Sequence, residues 1–307
     1  MNTGTPLARL ALRAYETIVP HRIRKGIHNR RWVHNRDKWE AIRGTPKSIT
    51  RSLGGGVRLK LYGDSRLCEM LYFDQFEPET RRFLDAYLRS GDAFLDIGAN
   101  VGLYTIAAAR IVGAEGAVHA FEPCSQTFSR LTENVRINAL RHVFCHRLAL
   151  SDTNAEAQLS IAKDGFDAWN SLGKPYMGED GGQETVQTVT LDSFVSQHRL
   201  AGRITAMKID VEGWENQVLA GAEKLLSAPN APALCVEFTE QAAQLAGSSC
   251  NALYQTLERY GFTMFTVSDT PETVIPFANC DPFPNVNLLA LKDPAAARAR
   301  FRPNSKR

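Results

Sequence analysis

Phe94-Leu95-Asp96-Ile97-Gly98-Ala99-Asn100-Val101-Gly102-Leu103-Tyr104-Thr105 reads as a buried strand, a glycine-lined turn and the start of a helix, in that order. A chain that leaves a strand this way packs the helix back against the sheet. The turn is left open at the strand's carboxyl end, where open α/β sheets hold their ligands. Glycines at 98 and 102 remove side chains that would block close approach, and the helix turns its partly positive end to the same place. The next apolar run, 117–121, ends in an acid, Glu122, 20 residues past Gly102. A carboxylate at the end of a second strand suits the diol of a ribose.

Two cofactor classes use such a turn, and spacing separates them. The dinucleotide fingerprint is Gly-x-Gly-x-x-Gly, with the helix amides set against a pyrophosphate. Asn100 and Leu103 occupy the places of its second and third glycines. Asp96, just ahead of the turn, sits badly beside a pyrophosphate and well beside the cationic amino acid part of S-adenosylmethionine. The methyl donor is therefore the expected cofactor. An NAD(P)-dependent oxidoreductase is the alternative, decided by cofactor titration. A glycine-rich turn with no ligand is the plainer option, and Glu122 counts against it.

Around this unit strand and helix alternate, as a doubly wound α/β sheet requires. Residues 49–62 alternate about Gly54-Gly55-Gly56 and predict a hairpin. Residues 78–90 predict a helix with Pro78 at its start and Phe83, Leu84, Tyr87 and Leu88 on one face. Residues 125–138 predict a second helix, and 143–148 a third strand running into Ala149-Leu150-Ser151-Asp152. Between 154 and 189 the pattern breaks into short alternating runs around a stretch rich in Gly, Asp and Pro. An insertion is expected there, a hairpin with a loop, leaving a strand's carboxyl end and able to cover the cofactor. Asn170-Ser171-Leu172 lies inside it.

Met207-Lys208-Ile209-Asp210-Val211-Glu212-Gly213-Trp214-Glu215 is the second informative stretch. Period-two spacing points Lys208, Asp210 and Glu212 to one side for as long as the strand lasts. Three charges at a strand's carboxyl end are hard to explain as packing, with surface ion pairing as the plain alternative. Gly213 lets the chain turn, and 214–226 predict a helix that buries Val218, Leu219, Ala222, Leu225 and Leu226. A fifth strand, 233–238, again carries an acid at its end, Glu237.

Composition is that of an ordinary globular enzyme-sized domain, 307 residues with 44% hydrophobic and 22% charged. Charge is uneven rather than large: +3 in total, but +11 over residues 1–60 and −8 over the rest. Leu7, Leu10, Ala11, Ala14 and Ile18 fall on one helical stripe, followed by His21, Arg22, Arg24, Lys25, Arg30, Arg31, Trp32 and Trp39. Residues 1–45 can thus make peripheral contact with an anionic membrane. The plainer reading is a helical extension packed on the main domain or on a second subunit, with its basic face in water. No nucleic-acid partner is expected, because the basic stretch carries no recognisable reading module. No run approaches the roughly 20 apolar residues of a membrane span. Six cysteines without a Cys-x-x-Cys pair read as reduced thiols, so the expected location is the cytoplasm, with the inner membrane face as its peripheral option.

In order and spacing a set of motifs resembles the FkbM-like family of S-adenosylmethionine-dependent methyltransferases over about residues 76–291. They are Phe76-Glu77-Pro78-Glu79, the 96–102 turn, Phe121-Glu122-Pro123, Ala149-Leu150-Ser151-Asp152, Asn170-Ser171-Leu172, Thr190-Leu191-Asp192, Lys208-Ile209-Asp210-Val211-Glu212-Gly213 and Val236-Glu237. The resemblance implies a class I methyltransferase fold, a seven-stranded Rossmann-like sheet whose last strand runs antiparallel, with 262–267 and 287–291 as its last two strands. The chain then divides into a basic N-terminal extension, 1–75, a methyltransferase domain, 76–293, carrying the insertion 154–189, and a basic, weakly ordered tail, 294–307.

The resemblance also implies roles. Asp96, Gly98, Asn100 and Gly102 surround the methionine part of the donor, with Tyr104 and Pro123 counted in the same site. Glu122 binds the ribose hydroxyls, and Asp152 lies near the adenine. Asp210 and Glu212 face the methyl group. Trp214 departs from relatives that often carry a small residue after the Glu-Gly pair, and is expected to narrow the acceptor pocket. Glu77, Asn170 and Ser171 are the other residues assigned to the acceptor.

The expected reaction is O-methylation of a hydroxyl on a small molecule, a sugar of a glycolipid, polysaccharide or natural product. A hydroxyl stays protonated at neutral pH, so a base must take its proton as the bond forms. No histidine falls at a strand's carboxyl end in the motifs. Asp210 or Glu212 is then the base, with Lys208 and Glu237 orienting. Mg²⁺ on Asp210, Glu212 and Glu237 is the rival, less favoured route, and no resident metal is expected. A non-catalytic cofactor-binding or membrane-associated assembly protein, and a homo-oligomer, stay open.

Overall fold

The structure, a computed structural model, describes residues 30–174, 179–267 and 274–301. Its strands are β1 (Ser48–Gly54), β2 (Val57–Tyr62), β3 (Ala93–Ile97), β4 (Ala117–Phe121), β5 (Val143–His146), β6 (Ala149–Leu150), β7 (Ala155–Ala162), β8 (Asp180–Val189), β9 (Ile204–Ile209), β10 (Ala233–Phe238), β11 (Thr263–Val267), β12 (Val274–Pro276) and β13 (Val286–Leu291). Eight of them form one sheet in the order β12-β11-β13-β10-β9-β3-β4-β5. From β5 to β10 neighbours run parallel, and β13 runs antiparallel to both β10 and β11. Seven of these strands are the expected set with its reversed last strand. The eighth, β12, is a correction: three residues paired antiparallel with β11 at the sheet edge. It is too short for a periodic signal, and it carries Pro276, which a sheet tolerates at an edge.

β3 is buried at all five positions, as a parallel strand covered on both faces must be. Period two then sorts the sheet into faces. Phe94 joins Val118, Ala206, Cys235 and Leu289 in one core with side chains of helices Pro78–Tyr87 and Leu103–Val112. Leu95 and Ile97 join Met207, Ile209, Leu234, Val236 and Leu288 in a second core with helices Leu191–Gln197, Glu215–Ala220 and Cys250–Arg259. By the same alternation Asp96, Lys208, Glu237 and Asn287 fall on the first face. Asp96 lies in register with Lys208, and Glu237 with Asn287. The pattern that builds the core therefore also lines up polar groups at one end of one face. That end is the crevice where β3 separates β4 from β9, the switch point of a doubly wound sheet.

The insertion is a separate three-stranded sheet in which β8 pairs antiparallel with β7 and parallel with β6, the hairpin expected over 154–189. The helix expected over 214–226 is two helices, Glu215–Ala220 and Glu223–Ser227. Gly221 breaks it: the chain passes the Ser151 carbonyl so closely that a Cβ there would lie 2.0 Å from the oxygen. The five expected apolar residues are nonetheless buried.

Trp39 is fully buried, stacked on Tyr72 at 5.1 Å between ring centroids, in the core that also holds Leu59 and Leu61 of β2. It is thus packed inside and not offered to a membrane surface. The apolar stripe 7–18 and the basic run 21–25 lie outside the described residues. Among the described residues no helix is long and apolar enough to cross a membrane.

Residues 294–301 of the expected weakly ordered tail are ordered, and the rest of it lies outside the described residues. Asp293 caps helix Pro294–Arg300, its Oδ1 accepting from the amides of Ala295 and Ala296 at 3.0 and 2.9 Å. Arg300 pairs with Asp92, and Phe301 packs on Phe83 and Tyr87 with ring centroids 6.3 and 5.3 Å away. Asp293-Pro294 is the sequence signal for this helix start. Phe301→Ala should lower unfolding free energy in urea by about 3 kcal/mol; a loss under about 0.5 kcal/mol would detach the helix from the core.

Candidate active site

Gly98 and Ala99 donate their amides to the Phe121 carbonyl at 3.1 and 2.9 Å, which ties the glycine turn to the end of β4. A Cβ on Gly98, at φ +82°, would lie 1.7 Å from the Asp210 carbonyl oxygen, so the position admits glycine alone. Two amides then hold the buried Glu122 carboxyl: Asn100 donates to Oε2 and Cys124 to Oε1, each at 3.0 Å. Each oxygen keeps a further lone pair for another donor. Burial pushes this carboxyl up to about 8, against the pull of its two amides.

Asp96 is fully buried. Its Oδ2 accepts from Thr105 Oγ1 at 2.5 Å, while Oδ1 has no partner. Burial pushes its pKa up, with Lys208 pulling the other way. Lys208, 2% exposed, bonds Asp210 Oδ2 through Nζ, which lies 4.8 Å from the ring centroid of Tyr104. Burial alone would lower this ammonium's pKa, but Asp210, Glu77 and Asp96 outweigh it and raise it above the ordinary lysine value. Tyr104 donates its hydroxyl to Glu77 Oε2 at 2.7 Å. Glu77 stands at the head of helix Pro78–Tyr87 in left-handed backbone, φ +34°, and its carboxyl is pushed up by burial.

β9 stops at Ile209, and the Asp210 amide continues the ladder by donating to the Ile97 carbonyl at 3.0 Å. The pleat therefore does not reach Glu212, which corrects the period-two expectation. Left-handed backbone at Glu212, φ +55°, and Gly213, φ +97°, turns the chain instead. A Cβ on Gly213 would meet the Ala242 carbonyl oxygen at 2.2 Å. Glu215 fixes this turn, its Oε1 accepting from the amides of Val211 at 3.0 Å and Gly213 at 3.3 Å. The turn brings one oxygen from each of Asp210, Glu212 and Glu237 within 4.8 Å of the others. Burial, then neighbouring negative charge, pushes the Glu212 and Glu237 carboxyls well above the usual range.

Other expected residues lie around this centre. Ser171 donates to the Glu212 carbonyl at 2.7 Å, which fastens the insertion to the site, while Asn170 Oδ1 accepts from the Ala162 amide at 2.9 Å within the insertion itself. Asn100 Nδ2 reaches the Asp167 carbonyl of the insertion at 3.3 Å. Trp214 donates its indole N–H to Ser151 Oγ at 3.0 Å, on the side of the exposed Asp152. Gly102 heads helix Leu103–Val112, and Pro123 follows Glu122.

Three residues escaped the sequence reading. Asn287, 8% exposed, donates from Nδ2 to Thr80 Oγ1 at 3.2 Å and has an unpartnered Oδ1. A polar residue inside the apolar run 286–291 was the available signal. Glu215 carries no sequence signal beyond that of a first-turn helix acid. Asp167, which accepts from Ser65 Oγ at 2.8 Å and lies 3.6 Å from Arg130, sits in a stretch without periodicity.

The raised Glu122 value has a consequence for stability. The folded chain keeps a proton that the unfolded chain releases near the model-peptide value of 4.5. The stabilisation is complete below that pH and is lost as pH rises through the folded value of about 8. Glu122→Gln, which carries no titrating group, should lose a few kcal/mol less unfolding free energy than the parent between about pH 5 and pH 8. Parallel pH profiles would mean that Glu122 is ionised throughout.

Residues 96–264 match the family model described as the methyltransferase FkbM domain. The 31-O-demethyl-FK506 methyltransferase FkbM of Streptomyces tacrolimicus is 32% identical over 164 residues, covering 44% of this chain and 61% of that protein. The hexuronic acid methyltransferase AglP of Haloferax volcanii is 28% identical over 154 residues, covering 50% and 59%. The chain thus spans about three fifths of the length of the curated relatives it matches. Among solved structures, methyltransferase FkbM from Methylobacillus flagellatus is similar at 16% identity and TM-score 0.42, over 73% of this chain and 51% of that one. With over half its length matched to that family model, this chain belongs to the methyltransferase FkbM domain family.

Proposed function

We propose that the chain is an S-adenosylmethionine-dependent O-methyltransferase acting on a hydroxyl of a small molecule, a sugar of a glycolipid, polysaccharide or natural product. One observation carries the donor reading: Asp96 Oδ1 is buried without a partner beside a glycine turn whose other wall is the Glu122 carboxyl. An unpartnered carboxyl oxygen and a diol acceptor, at the ends of neighbouring parallel strands, fit the amino group and the ribose of the donor. The names of the relatives support the acceptor class, one a 31-O-demethyl-FK506 methyltransferase and the other a hexuronic acid methyltransferase.

When bound, S-adenosylmethionine supplies an electrophilic methyl on a sulfonium, and the chain's own task is orientation and proton removal. In this reading Asp96 holds the amino group and Glu122 the ribose, while Gly98, Asn100 and Gly102 leave room for the methionine part. Tyr104 and Lys208 fix Glu77 and Asp210 at the crevice. Asp210 and Glu212 are the groups that take the hydroxyl proton, with Glu237 behind them. Asn170, Ser171 and Trp214 hold the insertion and the Ser151–Asp152 turn around the acceptor and the adenine.

Calorimetric titration tests the donor site. S-adenosylmethionine and S-adenosylhomocysteine should bind in the micromolar range, with Asp96→Ala and Glu122→Ala each weakening binding by about 10-fold or more, the scale of a lost charged hydrogen bond. Binding of NAD alone, or of nothing, would reject the reading. In a screen of glycosides with labelled donor, Asp210→Asn should lower turnover by about 100-fold or more while leaving donor affinity nearly unchanged. Equal loss of affinity and turnover would make Asp210 a donor-site residue and not a base.

A further inference from the structure

Unsatisfied oxygens gather at the carboxyl ends of β9 and β10. One oxygen from each of Asp210, Glu212 and Glu237 lies within 4.8 Å of the other two. Oε2 of Glu212 and Oε2 of Glu237 accept no hydrogen bond and touch no solvent. Lys208 gives neither of them a hydrogen bond; its Nζ bonds Asp210 Oδ2 and lies over Tyr104. A separate observation comes from β13. Asn287, in register with Glu237 on the same face and 8% exposed, has an Oδ1 that is likewise unbonded, while its Nδ2 is anchored on Thr80. Buried acceptors without a donor are expensive, and native structures keep few of them without a ligand or a function.

The donor set is all oxygen, with no thiol or imidazole, which selects hard cations over zinc or copper. Opposite ligands of Mg²⁺, at about 2.1 Å each, stand about 4.2 Å apart, and those of Ca²⁺, at about 2.4 Å, about 4.8 Å apart. Three oxygens within 4.8 Å of one another are close enough to share one such ion once the carboxylates turn inward.

We propose that Asp210, Glu212 and Glu237 form a binding site for a hard divalent cation, Mg²⁺, Mn²⁺ or Ca²⁺, with Asn287 Oδ1 as a neutral oxygen beside it. Three protein ligands leave positions open toward the crevice for hydroxyl oxygens of an acceptor. The site goes beyond the donor-binding reading and does not rest on it, since Asp96 and Glu122 lie outside the set.

Mn²⁺ is the probe. The full chain, stripped with a chelator, is titrated with MnCl₂ and free Mn²⁺ is followed by electron paramagnetic resonance. Expected is saturable binding of a single ion that Mg²⁺ or Ca²⁺ displaces, weakened about 10-fold or more in Glu212→Gln and in Glu237→Gln. Glu184→Gln, which removes a surface partner of Arg147, should leave it unchanged. Should a glutamine variant fail to fold, the parent chain decides. Its unfolding temperature rises with MnCl₂ at fixed ionic strength if the site exists. No binding at millimolar Mn²⁺, or binding indifferent to both glutamine variants, overturns the proposal. S-adenosylmethionine titrated into the same stripped protein keeps the two readings apart, because donor binding through Asp96 and Glu122 does not need the cation.

Discussion

Lys208 carries its charge into the sheet at 2% exposure, and the acidic end of the fold is arranged around it. It bonds Asp210, lies over the ring of Tyr104, and raises the share of charge that Asp96, Glu77 and Glu212 can bear. Two like charges at about 4 Å repel by about 1 kcal/mol in water and about 4 kcal/mol near a protein surface, so such a set of acids needs a cation in its midst. A buried ion pair is weak evidence of stability, because desolvation consumes most of the Coulombic gain. Its worth here lies in placement: Asp210 is held at the crevice where β3 and β9 part.

The placement follows from packing. Phe94, Ala206 and Cys235 face one core, and two positions along each strand the same face carries Asp96, Lys208 and Glu237. Parallel register sets Asp96 beside Lys208, and the antiparallel β13 adds Asn287 beside Glu237. Close backbone contacts then lock the loops that follow. Gly98 passes the Asp210 carbonyl and Gly213 the Ala242 carbonyl at distances that no side chain would permit. A larger residue at either glycine would move the loops that carry the acids.

Much of this was legible in the sequence because it rests on local periodicity. The strand-turn-helix of 94–105, the acid ending β4 and the Lys208–Asp210 pair were all readable from spacing. What escaped depends on contacts distant in sequence or on geometry without a period. β12 has three residues, too few to show a period, and becomes a strand only by pairing with β11. Glu212 reaches its neighbours through left-handed backbone and not through the pleat. Asn287 acquires meaning from Glu237, a residue 50 positions earlier that pairs with it across the sheet. The helix at 294–300 was hidden by its own arginines, one of which is spent on Asp92.

The most direct measurement is a crystal structure of the chain with S-adenosylhomocysteine. The account predicts the ribose hydroxyls on Glu122, the amino group on Asp96 Oδ1, and the sulfur turned toward Asp210 and Glu212. A nucleoside bound away from the 98–102 turn, or bound there with Glu122 and Asp96 untouched, would contradict it.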